Sequence, residues 1–134
     1  MKTLMSTLVV AFFLIAAIPE LRAQSPDQFT VNSIESLKNG ISSRNAGLHR
    51  SSIYMAGLYG VKEVAPLLAD EIKKELDPNT KVLIALALFK TGDANFFDTI
   101  SNVAKAETDS EARRMMFAIT EQIKLGRTNT LPTE

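Results

Sequence analysis

The chain has 134 residues, which suffices for one domain of usual size but not for two. Basic and acidic residues are equal in number, 15 of each, so no overall charge attracts the chain to nucleic acid or anionic lipid. Cysteine is absent, which excludes disulfides, thiol chemistry and lipid attachment through a cysteine. Packing of an apolar core must therefore hold the domain together.

The N-terminal segment 1–23 has the pattern of a cleaved signal peptide. Lys2 supplies a positive start, an uninterrupted apolar run follows at 8–18, and Ala23 offers a cleavage site. Leu21 is larger than the residue that usually precedes such a site. A retained membrane anchor is the alternative, but the run is shorter than the roughly 20 residues that span a bilayer. We expect a periplasmic or secreted protein with no stable membrane anchor after cleavage.

A polar lead-in, residues 24–31, separates the signal peptide from the first predicted helix. Asn32 and Glu35 are spaced as a capping box at the start of that helix. Apolar residues then recur at helical spacing, and Asn39-Gly40 is predicted to end the helix.

From residue 45 onward, a period of about 32 residues organises the sequence. Residues suited to cap a helix recur at Asn45, Asp77 and Asp109. Basic or imidazole side chains follow each of these caps at the same offset, at His49, Lys81 and Arg113. A glycine recurs at Gly60 and Gly92.

The period predicts first helices and second helices in alternation. The first helices are expected at roughly 46–58, 78–90 and 110–124. The second helices are expected at roughly 62–76 and 94–106. Because Pro66 would clash inside a regular helix, the helix proper is expected to begin near Val64, after a tight turn. The array would then be a single helix, two helical hairpins and a final helix.

Residues 82–89 are all apolar and lie at the centre of this array. A surface helix carries an apolar stripe on one side only, so a helix here must be covered on nearly all sides. A strand is the alternative, but the Ala-Leu-Ala-Leu sequence at 85–88 favours a helix. If the helix is central, replacing Leu86 with Ala is expected to cost roughly 2–5 kcal/mol.

The third unit has only its first helix before Gly126. We therefore predict a helical repeat domain at 32–125 and a flexible tail at 126–134. Deleting residues 127–134 is expected to leave thermal stability nearly unchanged.

The order of cap, basic residue, apolar core and Gly-Asp pair resembles the short HEAT-like repeats, including those of the phycobiliprotein-lyase-type HEAT family. The best match contains Asp77, Lys81-Val82 and Gly92-Asp93, and the resemblance covers roughly 45–124. It implies an all-α fold, a short right-handed α-solenoid of about five or six helices, as in small exported bacterial members. An irregular helical bundle with coincidental spacing is the alternative, and it too is all-α. Lyase activity is not implied, since unrelated functions share this fold.

No pattern of residues indicates an enzyme. His49 is the sole histidine, which excludes a multi-histidine metal site, and Ser51 and Ser52 lack a Gly-x-Ser-x-Gly context. We interpret His49 as a helix-surface residue in the repeat's basic position. Residues 70–77 interleave carboxylates with lysines, which indicates a solvated face with internal ion pairs. We expect no catalytic residue, metal ion or cofactor.

Exposed aromatic side chains are the remaining candidates for recognition. Tyr59, Phe96 and Phe97 are the candidate binding residues, although packing between helices is the role that we favour for these aromatic side chains. The leading hypothesis is a non-enzymatic exported module that binds a protein or peptide and no nucleic acid, first sought on the second helices. The alternative is an accessory domain that binds a small ligand or regulates an enzyme through a pocket between helices. A buried polar pocket beside Tyr54 or Tyr59 would favour that alternative.

Overall fold

The computed structural model describes residues 30–129, with side chains up to Arg127. The predicted signal peptide, nearly all of the lead-in and residues 130–134 lie outside this range. The described residues are helical and contain no strand, which confirms the all-α class. Their six α-helices are α1 Val31–Ile41, α2 Ala46–Leu58, α3 Ala65–Lys74, α4 Pro78–Lys90, α5 Phe97–Ala106 and α6 Ser110–Asn129. None of these helices combines the length and apolar composition needed to cross a bilayer.

The period of the sequence is present in the structure. Helices α2, α4 and α6 begin one period apart, at residues 46, 78 and 110, and so do α3 and α5, at residues 65 and 97. Short 3₁₀ turns, Lys62–Val64 and Ala94–Phe96, precede α3 and α5. Pro66 therefore lies in the first turn of α3, where its missing N–H breaks no helical hydrogen bond.

The repeated polar residues and glycines set the helix ends. Asn45 Oδ1 accepts the Leu48 N–H (3.0 Å), and Asp77 Oδ2 accepts the Thr80 N–H (2.9 Å). Gly60 and Gly92 have φ angles of 58° and 74°, and this left-handed conformation turns the chain out of α2 and α4. The predicted bounds of α2 and α4 are confirmed for this reason.

Consecutive helices pack against each other in three pairs, α1 with α2, α3 with α4, and α5 with α6. Each pair is a hairpin joined by a short loop, at 42–45, 75–77 and 107–109 respectively. Helices α2, α4 and α6 pack side by side in that order, and α3 packs between α1 and α5. The described chain is thus three hairpins, whereas the sequence suggested two hairpins flanked by single helices. The prediction differed because it paired each first helix with the second helix of its own period.

Helix α4 is the centre of the structure, since it packs against α2, α3 and α6. Ile84 and Leu88 are fully buried, as the apolar run predicted. Leu86 is 41% exposed, so the prediction that it is buried is wrong. The expected cost of replacing it with Ala depended on that burial. It lies on the side of α4 that no neighbouring helix of the described chain covers.

Two predicted features of α1 differ from the structure. The helix is capped by Thr30, whose Oγ1 accepts the Ser33 N–H at 3.2 Å, and not by Asn32. Gly40 lies inside the helix and is buried against α2. A Cβ atom at Gly40 would overlap the Ser52 side chain. The glycine therefore allows a close helix crossing, and the helix ends one residue beyond it, at Ile41.

The predicted tail begins inside α6, which continues through Gly126 to Asn129. The Arg127 guanidinium donates a hydrogen bond to the Ala94 carbonyl oxygen and lies 5.2 Å from the centre of the Phe97 ring. These contacts join the end of α6 to the start of α5. Removing residues 127–134 would break them, and the expectation that this deletion leaves thermal stability nearly unchanged stays a prediction.

Candidate functional site

The three aromatic residues predicted as binding candidates do not form one surface. Tyr59 is exposed at the C-terminal end of α2, whereas Phe96 and Phe97 lie at the start of α5 and are packed against the core. The Phe97 ring is also covered by Lys124 and Arg127, whose charged groups are 5.5 and 5.2 Å from its centre. The two phenylalanines therefore pack against the core, which is the role favoured from the sequence.

The exposed side of the second helices is polar. Along α3, Lys73 Nζ lies 3.4 Å from Asp70 Oδ1, and Lys74 Nζ lies 3.4 Å from Glu71 Oε1. These pairs confirm the solvated, internally paired face that the spacing predicted. The exposed large apolar side chains lie mainly on the first helices of the sequence repeat, which are α2, α4 and α6. An apolar recognition surface therefore belongs on these helices.

An apolar groove of about 170 Å³ lies between α2 and α4. Its buried floor includes Ile53, Gly57 and Ala87. A Cβ atom at Gly57 would lie only 3.0 Å from the Ala87 Cα, so glycine lets the two helices approach closely at this point. The floor of the groove follows from this close approach.

Three exposed apolar side chains form the rim of the groove. Tyr54 and Leu58 of α2 are 56% and 58% exposed, and Leu86 of α4 is 41% exposed. Tyr54 and Leu86 occupy equivalent positions, one period apart. This spacing was visible in the sequence. Because Leu86 was predicted to be buried, the spacing was not interpreted as part of an exposed surface. Among the described residues, Lys90 is the only charged one that lines the groove.

The size and lining of the groove distinguish between kinds of ligand. Its volume is below the roughly 300–1,000 Å³ typical of small-molecule pockets, so it fits one or two apolar side chains better than a whole small ligand. The described residues that line it include no carboxylate, no histidine and no hydroxyl other than that of Tyr54. General acid–base chemistry has no pair of groups to use among these lining residues.

A second depression of about 350 Å³ lies between α4 and α6 and includes Asp93 and Arg127. Gln122 also lines it, and the two charged side chains already have contacts within the fold. Asp93 Oδ1 accepts the Asn95 N–H at 2.9 Å, and Arg127 bonds to the Ala94 carbonyl oxygen. These contacts stabilise the α4–α5 connection.

A contact between adjacent hairpins recurs at the repeat's basic position. Lys81 Nζ lies 2.6 Å from Glu107 Oε2, and His49 Nε2 lies 3.2 Å from Glu75 Oε2. The residues of each pair are 26 positions apart. We call these two pairs the junction contacts. His49 also contacts the Ile41 carbonyl oxygen through Nδ1, so it is half-buried and not the surface residue we predicted.

The two glutamates of the junction contacts also hold the next helix cap. Glu75 Oε1 accepts the Asp77 N–H at 2.8 Å, and Glu107 Oε1 accepts the Asp109 N–H at 2.9 Å. Hydrogen bonding from Lys81, followed by that from the Asp109 N–H, lowers the pKa of the Glu107 carboxyl. The Glu-x-Asp spacing at both caps was a signal for this role, which the prediction of a solvated face missed for Glu75.

The other polar groups of the described residues also serve the fold. Hydrogen bonds from the Thr80 hydroxyl and then the Thr80 N–H lower the pKa of the Asp77 carboxyl, which caps α4. Within residues 30–127, every buried polar side-chain atom has a hydrogen-bond partner. No three potential metal-binding side chains come together in that range.

No protein-family model matches the chain, and comparison with curated proteins and with solved structures found no similar protein. The function must therefore be inferred from the chain's own geometry.

Proposed function

We propose that this chain is a non-enzymatic, exported interaction module of the HEAT-like type, which binds a protein or peptide through the groove between α2 and α4. The observation that carries the proposal is the exposure of Tyr54, Leu58 and Leu86 around an open apolar groove. Contiguous apolar surface rimmed by polar residues is characteristic of interaction sites in proteins.

The chemistry of the rim suits recognition of a protein surface. Tyrosine offers a large apolar area and a hydroxyl that remains hydrated, which makes it a frequent anchor in interfaces. Leu58 and Leu86 supply apolar area on both sides of the groove floor. A partner would bind by inserting an apolar side chain between α2 and α4, without any covalent step.

The arrangement of the hairpins suits a pre-formed scaffold. Side-by-side packing of α2, α4 and α6 supports a short right-handed α-solenoid as part of the proposal. Export rests on the signal-peptide pattern of residues 1–23, and after cleavage the protein would be periplasmic or secreted. The module needs no cofactor and binds no nucleic acid in this proposal.

The alternative, an accessory domain for a small ligand, receives less support. Its expected feature was a buried polar pocket beside Tyr54 or Tyr59. The groove beside Tyr54 is apolar and open, and its described lining lacks the polar groups that orient a small ligand.

The proposal is tested by affinity capture from the source cells. The full chain is expressed with a C-terminal tag, which leaves the N-terminal segment free for processing by the cells. Wild type is compared with the double variant Tyr54→Ser and Leu86→Ser. A specific partner is expected to be lost by about tenfold or more in the double variant, because the anchors of the groove are gone.

Leu76→Ser is the matched control for this experiment. Leu76 is 88% exposed and lies in the α3–α4 loop, outside the groove, so its replacement should retain the partner. Thermal unfolding of each variant checks that the fold is intact. Equal retention by wild type and the folded double variant would contradict binding through the groove.

A further inference from the structure

The two junction contacts show which side chains pair where one hairpin packs against the next. In each, a cationic or imidazole side chain on a first helix contacts a glutamate in the loop of the following hairpin. That glutamate stands two positions before the aspartate that caps the next first helix. The same geometry is built twice, one period apart, with different basic residues.

Helix α6 carries the third basic residue of the series, Arg113, in the position of His49 and Lys81. Its side chain is exposed and makes no ion pair with any of residues 30–127. One turn further along, Phe117 is 36% exposed, whereas the equivalent residues Ile53 and Ala85 are fully buried. In each of these two rows, neighbouring residues cover the side chains on α2 and α4. The side chain on α6 is exposed in both rows.

We propose that the surface around Arg113 and Phe117, here called the α6 surface, binds a helical hairpin of a partner protein whose loop carries Glu-x-Asp or Glu-x-Asn. The partner's glutamate would accept hydrogen bonds from the Arg113 guanidinium, as Glu107 accepts one from Lys81. An apolar residue of the partner's helix would cover the Phe117 ring. Charge complementarity, already used at both junctions, selects this partner.

A second copy of this chain does not fit the α6 surface. Ser43 stands in its first hairpin where the later hairpins have Glu75 and Glu107. The Ser43 hydroxyl accepts the Asn45 N–H at 3.1 Å, so it replaces the glutamate at the cap. It carries no charge with which Arg113 could pair.

The α6 surface has polar side chains at its edge. Glu121 and Lys124 are exposed next to it and form an ion pair with an N–O distance of 2.7 Å. A polar rim around a more apolar centre is typical of protein–protein interfaces. The surface is distinct from the groove, which lies between α2 and α4.

The test places a photo-reactive phenylalanine derivative at position 117 of the full chain in the source cells. Cross-linked peptides are identified by mass spectrometry. The expected product joins position 117 to a helical hairpin of another protein with Glu-x-Asp or Glu-x-Asn in its loop. Arg113→Glu should lower the cross-link yield by about tenfold, while Arg113→Lys should largely retain it, because positive charge attracts the glutamate.

A charge exchange completes the test. Replacing the partner's glutamate with lysine should restore cross-linking to the Arg113→Glu chain. An unchanged melting temperature shows that Arg113→Glu is folded, and the groove double variant should cross-link as wild type does. Cross-links to a second copy of this chain, to segments without that glutamate, or to nothing at all would overturn the proposal. Insensitivity of the yield to Arg113→Glu would do so as well.

Discussion

Glu107 is a single residue whose carboxylate joins two hairpins. It is only 4% exposed, and its two oxygens accept hydrogen bonds from the Lys81 ammonium and the Asp109 N–H. A buried carboxylate is tolerated only when it is paired and hydrogen-bonded, so each donor matters. Such a contact was not predictable from residue types alone, because they do not show which carboxylates are buried.

Removing the Lys81 charge should destabilise the fold. Lys81→Met leaves the Glu107 carboxylate buried with one donor fewer, and the free energy of unfolding is expected to fall by about 3 kcal/mol. Urea denaturation followed by circular dichroism measures the change. Lys73→Met is the control, since it removes an exposed ion pair worth about 0–1 kcal/mol. Equal effects of the two substitutions would show that the junction contact adds nothing to stability.

The lowered pKa of Glu107 makes stability depend on pH in a defined direction. The folded-state pKa is below the ordinary value of 4.5, so ionised Glu107 contributes stability above that value. The contribution is lost as the pH falls through the folded-state pKa. The difference in unfolding free energy between wild type and Glu107→Gln should therefore be constant from pH 7 to about pH 5 and shrink below that. A difference that stays constant into the acid range would refute the assignment.

At the scale of the helix, caps and turns were predictable because they depend on local chemistry. Asn45 and Asp77 cap α2 and α4 as expected, and Gly60 and Gly92 adopt the left-handed conformation that ends these helices. The prediction that the tail begins at Gly126 was wrong, because a glycine ends a helix only if the chain turns there. Helix α6 continues beyond Gly126. The uncovered side of α4 was not predictable, because an apolar run does not reveal where neighbouring helices lie.

The two faces of α4 should respond differently to truncation. Leu88→Ala removes a fully buried side chain and is expected to cost roughly 2–5 kcal/mol, because a cavity remains between the hairpins. Leu86→Ala acts on the exposed rim of the groove and should cost less than about 1 kcal/mol. Chemical denaturation of both variants measures the difference. A larger cost for Leu86→Ala would contradict the position of the groove at the surface.

At the scale of the whole molecule, the period predicted the number and order of most helices but not their pairing. Loop length decides the pairing: the connections at 75–77 and 107–109 are short and held by the glutamates of the junction contacts. The site was less predictable than the fold. Tyr59 was named only as a candidate, and the groove beside Tyr54 depends on the close approach of Gly57 to Ala87, which only the packed helices reveal.

The pairing of helices into hairpins also defines how such a chain could lengthen. A segment cut at the two glycine turns, residues 61–92, contains one whole hairpin together with Glu75 and Lys81. If that segment were duplicated in tandem after Gly92, the added Glu75 would meet the original Lys81, and the added Lys81 would meet Glu107. Gene duplication in steps of one period would thus add hairpins whose new boundaries are already complementary. An insertion at this point whose length is not a whole number of periods would place Lys81 out of register with the next glutamate.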